Sequence, residues 1–286
     1  MLSEVIIQSP AKVNIGLRVF PRRADGFHSI ESIFQTVQFY DDMRISLLSE
    51  PNTCVVSCKE LALPAENTLT KAYRVFCRLT GVKSGVQITL TKRIPAGGGL
   101  GGGSSNAASF VKAFAALTNT AVTTALLDAV AAEVGSDVFF FMHCKENMDA
   151  AVVSGRGEIV KAIEPRIDVY FVLVLPEVHS STKEAYELVD RTFEAGKTVV
   201  CPSFAELECM YYAPVCEWRF ANTFTPALVT KYPAIAVALQ DIRKSGAVWS
   251  DMTGSGAVVF GVYDSADSAK RAYNSLRNTW KRCVLA

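Results

Sequence analysis

The sequence predicts an α+β fold with two domains, and three observations support this. Strand-like alternating segments are followed by amphipathic helical segments several times along the chain. The pattern restarts in the second half with an apolar strand at residues 169–175, and the 286 residues suffice for two domains of ~150 residues each. A glycine-rich loop separates a strand from an Ala-rich helix in the first half. This alternation is typical of split βαβ sandwiches and predicts domains at residues 1–162 and 163–286.

The hydrophobic periodicity and the positions of Gly and Pro place the individual elements. In the first half they predict strands at residues 4–8, 12–19, 33–40, 44–48 and 86–92, helices at 67–79, after the glycine loop and at 124–134, and a hairpin turn at 154–158. In the second half they predict a strand at 169–175, a helix at 182–195, two short helical fragments within 196–220, a helix at 233–245, strands at 248–252 and 257–262, and a final helix at 265–280.

Composition excludes several classes of function. The formal net charge is +1, so the chain lacks the basic surplus expected of a protein that binds nucleic acid or an anionic membrane. The eight cysteines form no Cys-x-x-Cys pair and have no accompanying histidine cluster, which argues against a zinc site and favours a reducing, cytoplasmic setting. Residues 1–5 are too polar for a signal peptide. We expect a monomer or a weak homodimer.

The glycine loop is the most informative segment. Six glycines lie within positions 97–103, and the following helix opens with Ser104 and Ser105. Glycine permits positive φ and close approach to a ligand, and a helix N-terminus offers unpaired N–H donors, so the segment predicts a phosphate cradle. It lacks the Lys-Ser/Thr pair of a P-loop and fits the dinucleotide pattern only weakly, which favours a nucleoside triphosphate with Mg²⁺. A flexible linker, or simple N-capping by the serines, is the alternative.

Polar residues at unusual places give further candidates. Lys12 and Asn14 lie two residues apart, so both point to one face of a strand, as they also would in a solvated edge strand. Asp137 leads from a polar turn into an apolar segment and requires a cation or a helix N-terminus nearby, although it could equally be an N-cap. His28 lies in a turn, either as a site residue or as an ordinary turn residue. His179 precedes a helix start and is a candidate to line a site.

A second glycine turn lies between the last two predicted strands, at residues 253–256. It is either a plain hairpin turn or a second anion-binding nest.

Three segments, taken in order, resemble the motifs of the GHMP small-molecule kinases: residues 10–14, 95–108 and 253–257. The resemblance covers nearly the whole chain. It implies a two-domain GHMP kinase fold, with a split βαβ-type ATP-binding domain that carries the phosphate loop and a ferredoxin-like α/β sandwich on the substrate side. It also implies ATP-dependent phosphorylation of an alcohol with Mg²⁺. Residues 23–28 and the long glycine loop resemble those members whose small-molecule substrate carries cytidine diphosphate, in the non-mevalonate route to isoprenoid precursors.

The resemblance also assigns roles to residues. Asp137 matches the catalytic carboxylate and Lys12 its cationic neighbour. The positions that match ATP contacts are Asn67, Lys92, Pro95, Gly97, Gly98, Gly99, Leu100, Gly101, Gly102, Gly103, Ser104 and Ser105, and the metal ligands are open, with Ser104 or Ser105 as the candidate. The positions that match substrate contacts are Asn14 beside the acceptor, Phe27 and Tyr186 around the cytosine, His28 at its edge, Thr182 on the same wall, and Gly254, Ser255 and Gly256 at the diphosphate.

Some features depart from the family pattern. Phe27 stands where tyrosine is usual, which keeps stacking but removes a hydroxyl, and residues 196–217 do not align. The alternative functions are another GHMP kinase acting on mevalonate, homoserine or a sugar, a dinucleotide-dependent oxidoreductase, and a non-catalytic nucleotide- or RNA-binding module. The near-zero net charge argues against RNA, and the presence of both Lys12 and Asp137 argues against an inactive kinase.

Overall fold

A computed structural model describes residues 3–145, 149–178 and 180–286. His179, a candidate from the sequence, lies outside the described residues. The strands of the described chain are Glu4–Arg22 (β1), His28–Leu48 (β2), Cys54–Cys58 (β3), Gly85–Thr91 (β4), Ala150–Ser154 (β5), Ile159–Ile163 (β6), Tyr170–Val174 (β7), Trp249–Met252 (β8), Val259–Tyr263 (β9) and Cys283–Leu285 (β10). Its α-helices are Thr68–Thr80 (α1), Gly102–Leu117 (α2), Thr124–Val134 (α3), Ser136–His143 (α4), Thr182–Glu194 (α5), Leu207–Tyr212 (α6), Thr225–Lys231 (α7), Pro233–Lys244 (α8) and Ala266–Leu276 (α9).

The chain forms two compact units that interleave along the sequence. The first comprises residues 3–11, Phe39–Ala96 and Gly101–Lys145, and the second comprises Lys12–Gln38, Gly97–Leu100 and the described residues from 149 onward. Thus β1, β2 and the glycine loop each contribute to both units. A single boundary between residues 162 and 163 stays a prediction.

The first unit packs α1, α2, α3 and α4 beside strand pairs. The second half of β2 runs antiparallel to β4, with Ile45 opposite Ile88, and β3 runs parallel to β4. Phe114 of α2 lies at the centre of an aromatic cluster whose other rings are Tyr73, Phe76 and Phe110. Phe114 is fully buried, so this cluster anchors the helix that follows the glycine loop.

The second unit contains the ferredoxin-like sandwich. Its four-stranded sheet has the order β10-β7-β9-β8, and each neighbouring pair is antiparallel. Helices lie between β7 and β8 and between β9 and β10, so the chain follows the βαββαβ topology. The first half of β2 pairs with β5, which in turn pairs with β6 through the predicted hairpin. The predicted α+β class and the ferredoxin-like sandwich are confirmed.

Several elements differ from the sequence predictions. The separate strands predicted within residues 4–19 form one strand, β1, in which Pro10 is tolerated because a strand edge does not need every N–H. The strands predicted within residues 33–48 likewise form one strand, β2. The short elements β3, α7 and β10 were not predicted, because three to seven residues carry too little periodicity. No helix of the described chain is long and apolar enough to span a membrane.

Candidate functional site

The ammonium group of Lys12 is buried in the second unit. Lys12 is only 2% exposed, and its Nζ donates to Asn14 Oδ1 (2.6 Å) and to the carbonyl oxygen of Gly99 (3.0 Å). It also lies 4.6 Å from the ring centroid of Phe34. A buried charge requires such acceptors, because its loss of hydration is otherwise uncompensated. The alternative of a solvated edge strand at Lys12 and Asn14 is therefore wrong.

Asn14 has its amide orientation set by its neighbours. An ammonium can only donate, so the amide oxygen faces Lys12, while Nδ2 donates to Ser32 Oγ (3.1 Å). The backbone N–H of Asn14 donates to Thr253 Oγ1 (3.0 Å), and that hydroxyl lies 3.1 Å from the Gly99 carbonyl oxygen. Asn14 is 1% exposed, so this network is almost fully desolvated. Lys12 and Asn14 thus connect β1 with both glycine segments.

The two glycine segments of the second unit touch through their main chains. Gly99 has φ +79°, and a Cβ there would lie 2.0 Å from the carbonyl oxygen of Thr253. Gly254 has φ +55°, and a Cβ there would lie 2.9 Å from Gly99 Cα. Both positions therefore need glycine for its conformation and for its lack of a side chain.

The rest of the phosphate loop belongs to the first unit. Gly101, with φ +69°, precedes α2, and no side chain caps this helix, so the N-capping alternative for Ser104 and Ser105 is wrong. Ser105 Oγ is buried and has no hydrogen-bond partner in the described structure. A Cβ at Gly102 would lie 2.8 Å from Lys92 Nζ. The helix start thus combines unpaired N–H donors, a free hydroxyl and a lysine.

Lys92 is held by the buried carboxylate of Asp41, which the sequence analysis did not identify as a candidate. Asp41 is fully buried and pairs with Lys92 Nζ. It also accepts from Asn106 Nδ2 (3.0 Å) and from the backbone N–H groups of Arg93 and Ile94 (2.8 Å each). Its partners lie more than fifty residues away in sequence, so no local pattern marks it. Lys92 is therefore positioned beside the start of α2, and its contact with nucleotide stays a prediction.

Asn67 and Asp137 both lie at helix starts in the first unit. Asn67 caps α1, because its Oδ1 accepts from the N–H groups of Leu69 (3.0 Å) and Thr70 (3.2 Å). Asp137 lies within the first turn of α4, after Gly135, so it is not the N-cap. A helix N-terminus carries partial positive charge, which suits an acidic side chain at this position. Lys12 belongs to the second unit and Asp137 to the first, and their pairing stays a prediction.

The residues expected to read cytosine surround His28 in the second unit. His28 is 9% exposed, and its Nδ1 lies 2.8 Å from the carbonyl oxygen of Phe20, which assigns the Nδ1 proton because a carbonyl only accepts. Its ring lies 4.8 Å from that of Tyr186, tilted by 30°, and its Nε2 lies 3.4 Å from Asp190 Oδ1. The Phe20 carbonyl and the Tyr186 ring thus hold the His28 ring in one orientation.

Phe27 remains accessible beside this arrangement. Its side chain is 54% exposed, and the guanidinium of Arg156 lies 4.6 Å from its ring centroid. Elsewhere in the second unit, Thr182 Oγ1 lies 3.0 Å from Ser255 Oγ. Two predicted substrate residues from distant parts of the sequence are therefore in contact. A cytosine sandwich between Phe27 and Tyr186 stays a prediction.

Asp251 is a second buried carboxylate missed from the sequence. It accepts hydrogen bonds from Thr225 Oγ1 (2.6 Å) and from the backbone N–H groups of Met252 (2.7 Å) and Asn222 (2.8 Å). Burial raises its pKa to about 6, against the lowering effect of these bonds and of Arg243. Within the described residues, no group of three His, Cys, Asp or Glu side chains could hold a metal ion.

Comparisons with known proteins agree with this geometry. The model of the GHMP kinases N terminal domain matches residues 67–145, and that of the GHMP kinases C terminal domain matches residues 213–282. The 4-diphosphocytidyl-2-C-methyl-D-erythritol kinase of Treponema pallidum (strain Nichols) is 39% identical over 99% of this chain and 98% of its own. The enzyme of that name from Thermotoga maritima is 36% identical over 89% of this chain and 90% of its own.

Solved structures give the same picture. The crystal structure of a 4-(cytidine 5'-diphospho)-2C-methyl-D-erythritol kinase superposes with a TM-score of 0.78 at 29% identity over 98% of both chains. A homoserine kinase from Cytophaga hutchinsonii superposes with a TM-score of 0.70 at 15% identity, over 100% of this chain and 94% of its own, which shows a shared fold alone.

The fold, the paired glycine segments and the two domain matches define a GHMP kinase. Within the GHMP kinases, the relatives at 36% and 39% identity, which match over 89% and 99% of this chain, indicate a particular family. The chain belongs to the family of 4-diphosphocytidyl-2-C-methyl-D-erythritol kinases.

The contact between the glycine segments can be tested with Gly99→Ala. We expect turnover to fall about 100-fold, because the new methyl group meets the Thr253 carbonyl and must displace one segment by about 1 Å. Gly81→Ala is the matched control: Gly81 has φ +76° but nothing within 4 Å of a Cβ, so it carries only the conformational cost of about 1–2 kcal/mol. Equal kcat in the two purified variants would contradict the steric explanation.

The raised pKa of Asp251 predicts a pH-dependent stability. Its pKa in the folded state, about 6, exceeds the ordinary value of 3.8, so folding takes up a proton between these values. Stability from this group is complete below about pH 4 and is lost as the pH rises through about 6. Relative to Asp251→Asn, the wild type should lose about 3 kcal/mol of unfolding free energy between about pH 4 and pH 7, measured by urea denaturation.

Asp168→Asn provides a control of opposite sign. A side-chain hydrogen bond from Arg166 lowers the pKa of Asp168, so that wild type should lose stability relative to this variant as the pH falls. Parallel pH curves for wild type and Asp251→Asn would show that Asp251 titrates normally.

Proposed function

We propose that this chain transfers the γ-phosphoryl group of ATP to the 2-hydroxyl of 4-diphosphocytidyl-2-C-methyl-D-erythritol, in the non-mevalonate route to isoprenoid precursors. The family to which it belongs supports this proposal. The observation that carries it is the buried Lys12 ammonium, which donates both to Asn14 and to the Gly99 carbonyl of the phosphate loop. One cation thereby joins the residue expected beside the acceptor alcohol to the loop expected around ATP.

Asp137 and Lys12 are the proposed catalytic residues. The carboxylate of Asp137 would accept the proton of the attacking hydroxyl, or orient that hydroxyl toward the γ-phosphorus. The ammonium of Lys12 would stabilise the ionised carboxylate and the oxygen anion that develops on the acceptor. Asp137 lies in the first turn of α4, where the N–H groups of the helix start point toward it.

The phosphate loop would contribute mainly by positioning. Phosphoryl transfer needs alignment and charge stabilisation more than covalent chemistry by the protein. Glycines 97–99 and 101–103 carry no side chains that would keep a ligand away from the main chain, and Lys92 is held at the start of α2 by Asp41. We propose that these groups bind the phosphates of ATP, and that Asn67 lies against the nucleoside.

The donor groups near α2 fit a magnesium ion that is bound mainly through phosphate oxygens. Ser105 Oγ is buried without a partner, and Mg²⁺ in such sites commonly keeps its waters and takes few protein ligands. Ser104 or Ser105 would hold it. When bound, the ion would neutralise charge on the phosphates of ATP.

Recognition of the acceptor is proposed to depend on the second unit. Phe27 offers an exposed ring for stacking, and Tyr186 packs against His28. His28 has a fixed ring orientation and is proposed to bind the cytosine edge. The wall formed by Thr182 and Ser255, with Gly254 and Gly256 beside it, is proposed to bind the diphosphate.

A substrate panel tests the proposed function. The purified protein with ATP and Mg²⁺ should release ADP with 4-diphosphocytidyl-2-C-methyl-D-erythritol, and not with mevalonate or homoserine. CDP should inhibit competitively against the alcohol substrate, because the site is proposed to read cytidine. Turnover of mevalonate or homoserine at a comparable kcat/KM, or indifference to CDP, would instead favour another GHMP kinase.

Asp137→Asn tests the catalytic carboxylate. The amide keeps the shape but can neither accept the proton nor carry charge, so kcat should fall about 10²- to 10⁴-fold. ATP affinity, measured by calorimetry, should change by less than about threefold, because the loss is confined to the transition state. Asp128→Asn is the control, since Asp128 is a half-exposed residue that pairs with His143, and it should retain full activity. A kcat near wild type in Asp137→Asn would remove Asp137 from the mechanism.

A further inference from the structure

Asn222 is a buried residue to which neither the motifs nor the proposed mechanism assigns a role. It is 1% exposed and lies just before α7. Its Nδ2 donates to the carbonyl oxygens of Met252 (2.7 Å) and Gly254 (2.8 Å), and its Oδ1 accepts from the N–H of Phe224 (2.9 Å). Both amide hydrogens are therefore used: one holds the last residue of β8, and the other holds Gly254 of the second glycine turn.

The two carbonyls that Asn222 holds lie on either side of Thr253. The hydroxyl of Thr253 accepts from the Asn14 N–H and contacts the Gly99 carbonyl oxygen, which is itself bound by Lys12. Asn222 therefore holds the main chain at Met252 and Gly254, while Asn14 and Gly99 contact the Thr253 hydroxyl between them. A shift of Met252 or Gly254 would move Thr253 in relation to the residues around the Lys12 ammonium.

Asn222 is itself fixed by main-chain contacts. Its N–H donates to Asp251 Oδ2 (2.8 Å), and its neighbours pair with β1: the Leu17 N–H donates to the Ala221 carbonyl oxygen (2.9 Å), and the Thr223 N–H donates to the Leu17 carbonyl oxygen (2.8 Å). Leu17 lies three residues after Asn14 on the same strand. The main chain around Asn222 is thus bound to β1, the strand that carries Lys12, while its side chain is bound to the main chain at Met252 and Gly254.

We propose that Asn222 is a positioning residue for phosphoryl transfer, which sets the main chain at residues 252–254 so that Thr253 and the Gly254–Gly256 diphosphate site align with Lys12 and Asn14. The inference rests on the proposed function of the site. The contacts of Asp251 support this role. Its carboxylate accepts hydrogen bonds from Thr225 and Met252 and is thereby held in place, and it also accepts from the backbone N–H of Asn222. A purely structural residue would affect folding, but would not affect catalysis by the folded protein.

Asn222→Asp is the sharpest test. The new carboxyl has nearly the same shape, but when it is ionised one of its oxygens faces the two carbonyl oxygens that Nδ2 bound, and it donates no hydrogen bond. We expect kcat/KM for 4-diphosphocytidyl-2-C-methyl-D-erythritol to fall about 100-fold at about pH 8, because the turn shifts. Burial beside two carbonyls raises the pKa of a carboxyl, and its protonated form donates one hydrogen bond again. The ratio of variant to wild-type kcat/KM should therefore rise about tenfold as the pH falls from about 8 to about 6.

Three further variants separate positioning from folding. Asn278→Asp is matched in chemistry, since the exposed Asn278 also donates its Nδ2 to a carbonyl oxygen, that of Asn274 (3.0 Å), and it should keep wild-type kcat/KM at both pH values. Leu239→Ala is the control for loss of stability. Leu239 is 3% exposed in α8, so its truncation lowers the melting temperature. The kcat/KM of the folded fraction should nevertheless stay unchanged. Asn222→Ala removes the amide without adding charge, so its activity should fall without recovery at low pH.

The outcomes are decisive and separate from the test of function. If wild type fails the substrate panel, the proposed function is wrong. If wild type is active and Asn222→Asp keeps kcat/KM within about threefold at both pH values, the positioning role is wrong. The role is also wrong if the loss of activity in the Asn222 variants follows melting temperature along the same line as Leu239→Ala, or if both Asn222 variants are unfolded at both pH values.

Discussion

The buried ammonium of Lys12 is the constraint on which the candidate site depends. A cation at 2% exposure is stable only where oxygens surround it closely, and here two of them are Asn14 Oδ1 and the Gly99 carbonyl. Satisfying Lys12 therefore fixes the amide of Asn14 and one peptide of the phosphate loop at the same time. Thr253 extends the arrangement, because its hydroxyl contacts both groups. The second glycine turn is consequently placed by the same charge.

The glycines of the two segments are constrained by this arrangement. A run of glycines in a sequence indicates a flexible backbone, but Gly99 and Gly254 each have a fixed, positive φ. Each also faces the main chain of the other segment at a distance that excludes a Cβ. Their lack of side chains lets two backbones meet, so that the Gly99 carbonyl oxygen contacts both Lys12 and Thr253. Rigid support of this kind is what phosphoryl transfer requires, because its catalysis depends on alignment.

Local signals in the sequence predicted much of the fold and part of the site. Helix α3 ends before Gly135 as its periodicity and its glycine predicted, and the ferredoxin-like sandwich follows from the alternation of strands and helices. The residues that the sequence analysis missed have partners that are distant in the sequence. Asp41 pairs with Lys92 and Asn222 with Gly254, over separations of 51 and 32 residues, and neither carries a local signature. Such partners become visible only when packing brings them together.

Substrate choice must arise from local features, because the fold is shared with a homoserine kinase at only 15% identity. Among the residues proposed to bind substrate, His28 is the one whose orientation is most clearly fixed. Since its Nδ1 donates to the Phe20 carbonyl, the ring cannot turn to suit a different ligand without losing this partly buried hydrogen bond. Tyr186 packs on the same ring and makes an edge contact with Phe224 in the core, so the proposed cytosine wall is held by the second unit itself. A site fixed before substrate arrives discriminates through groups that an ill-fitting substrate would leave unpaired.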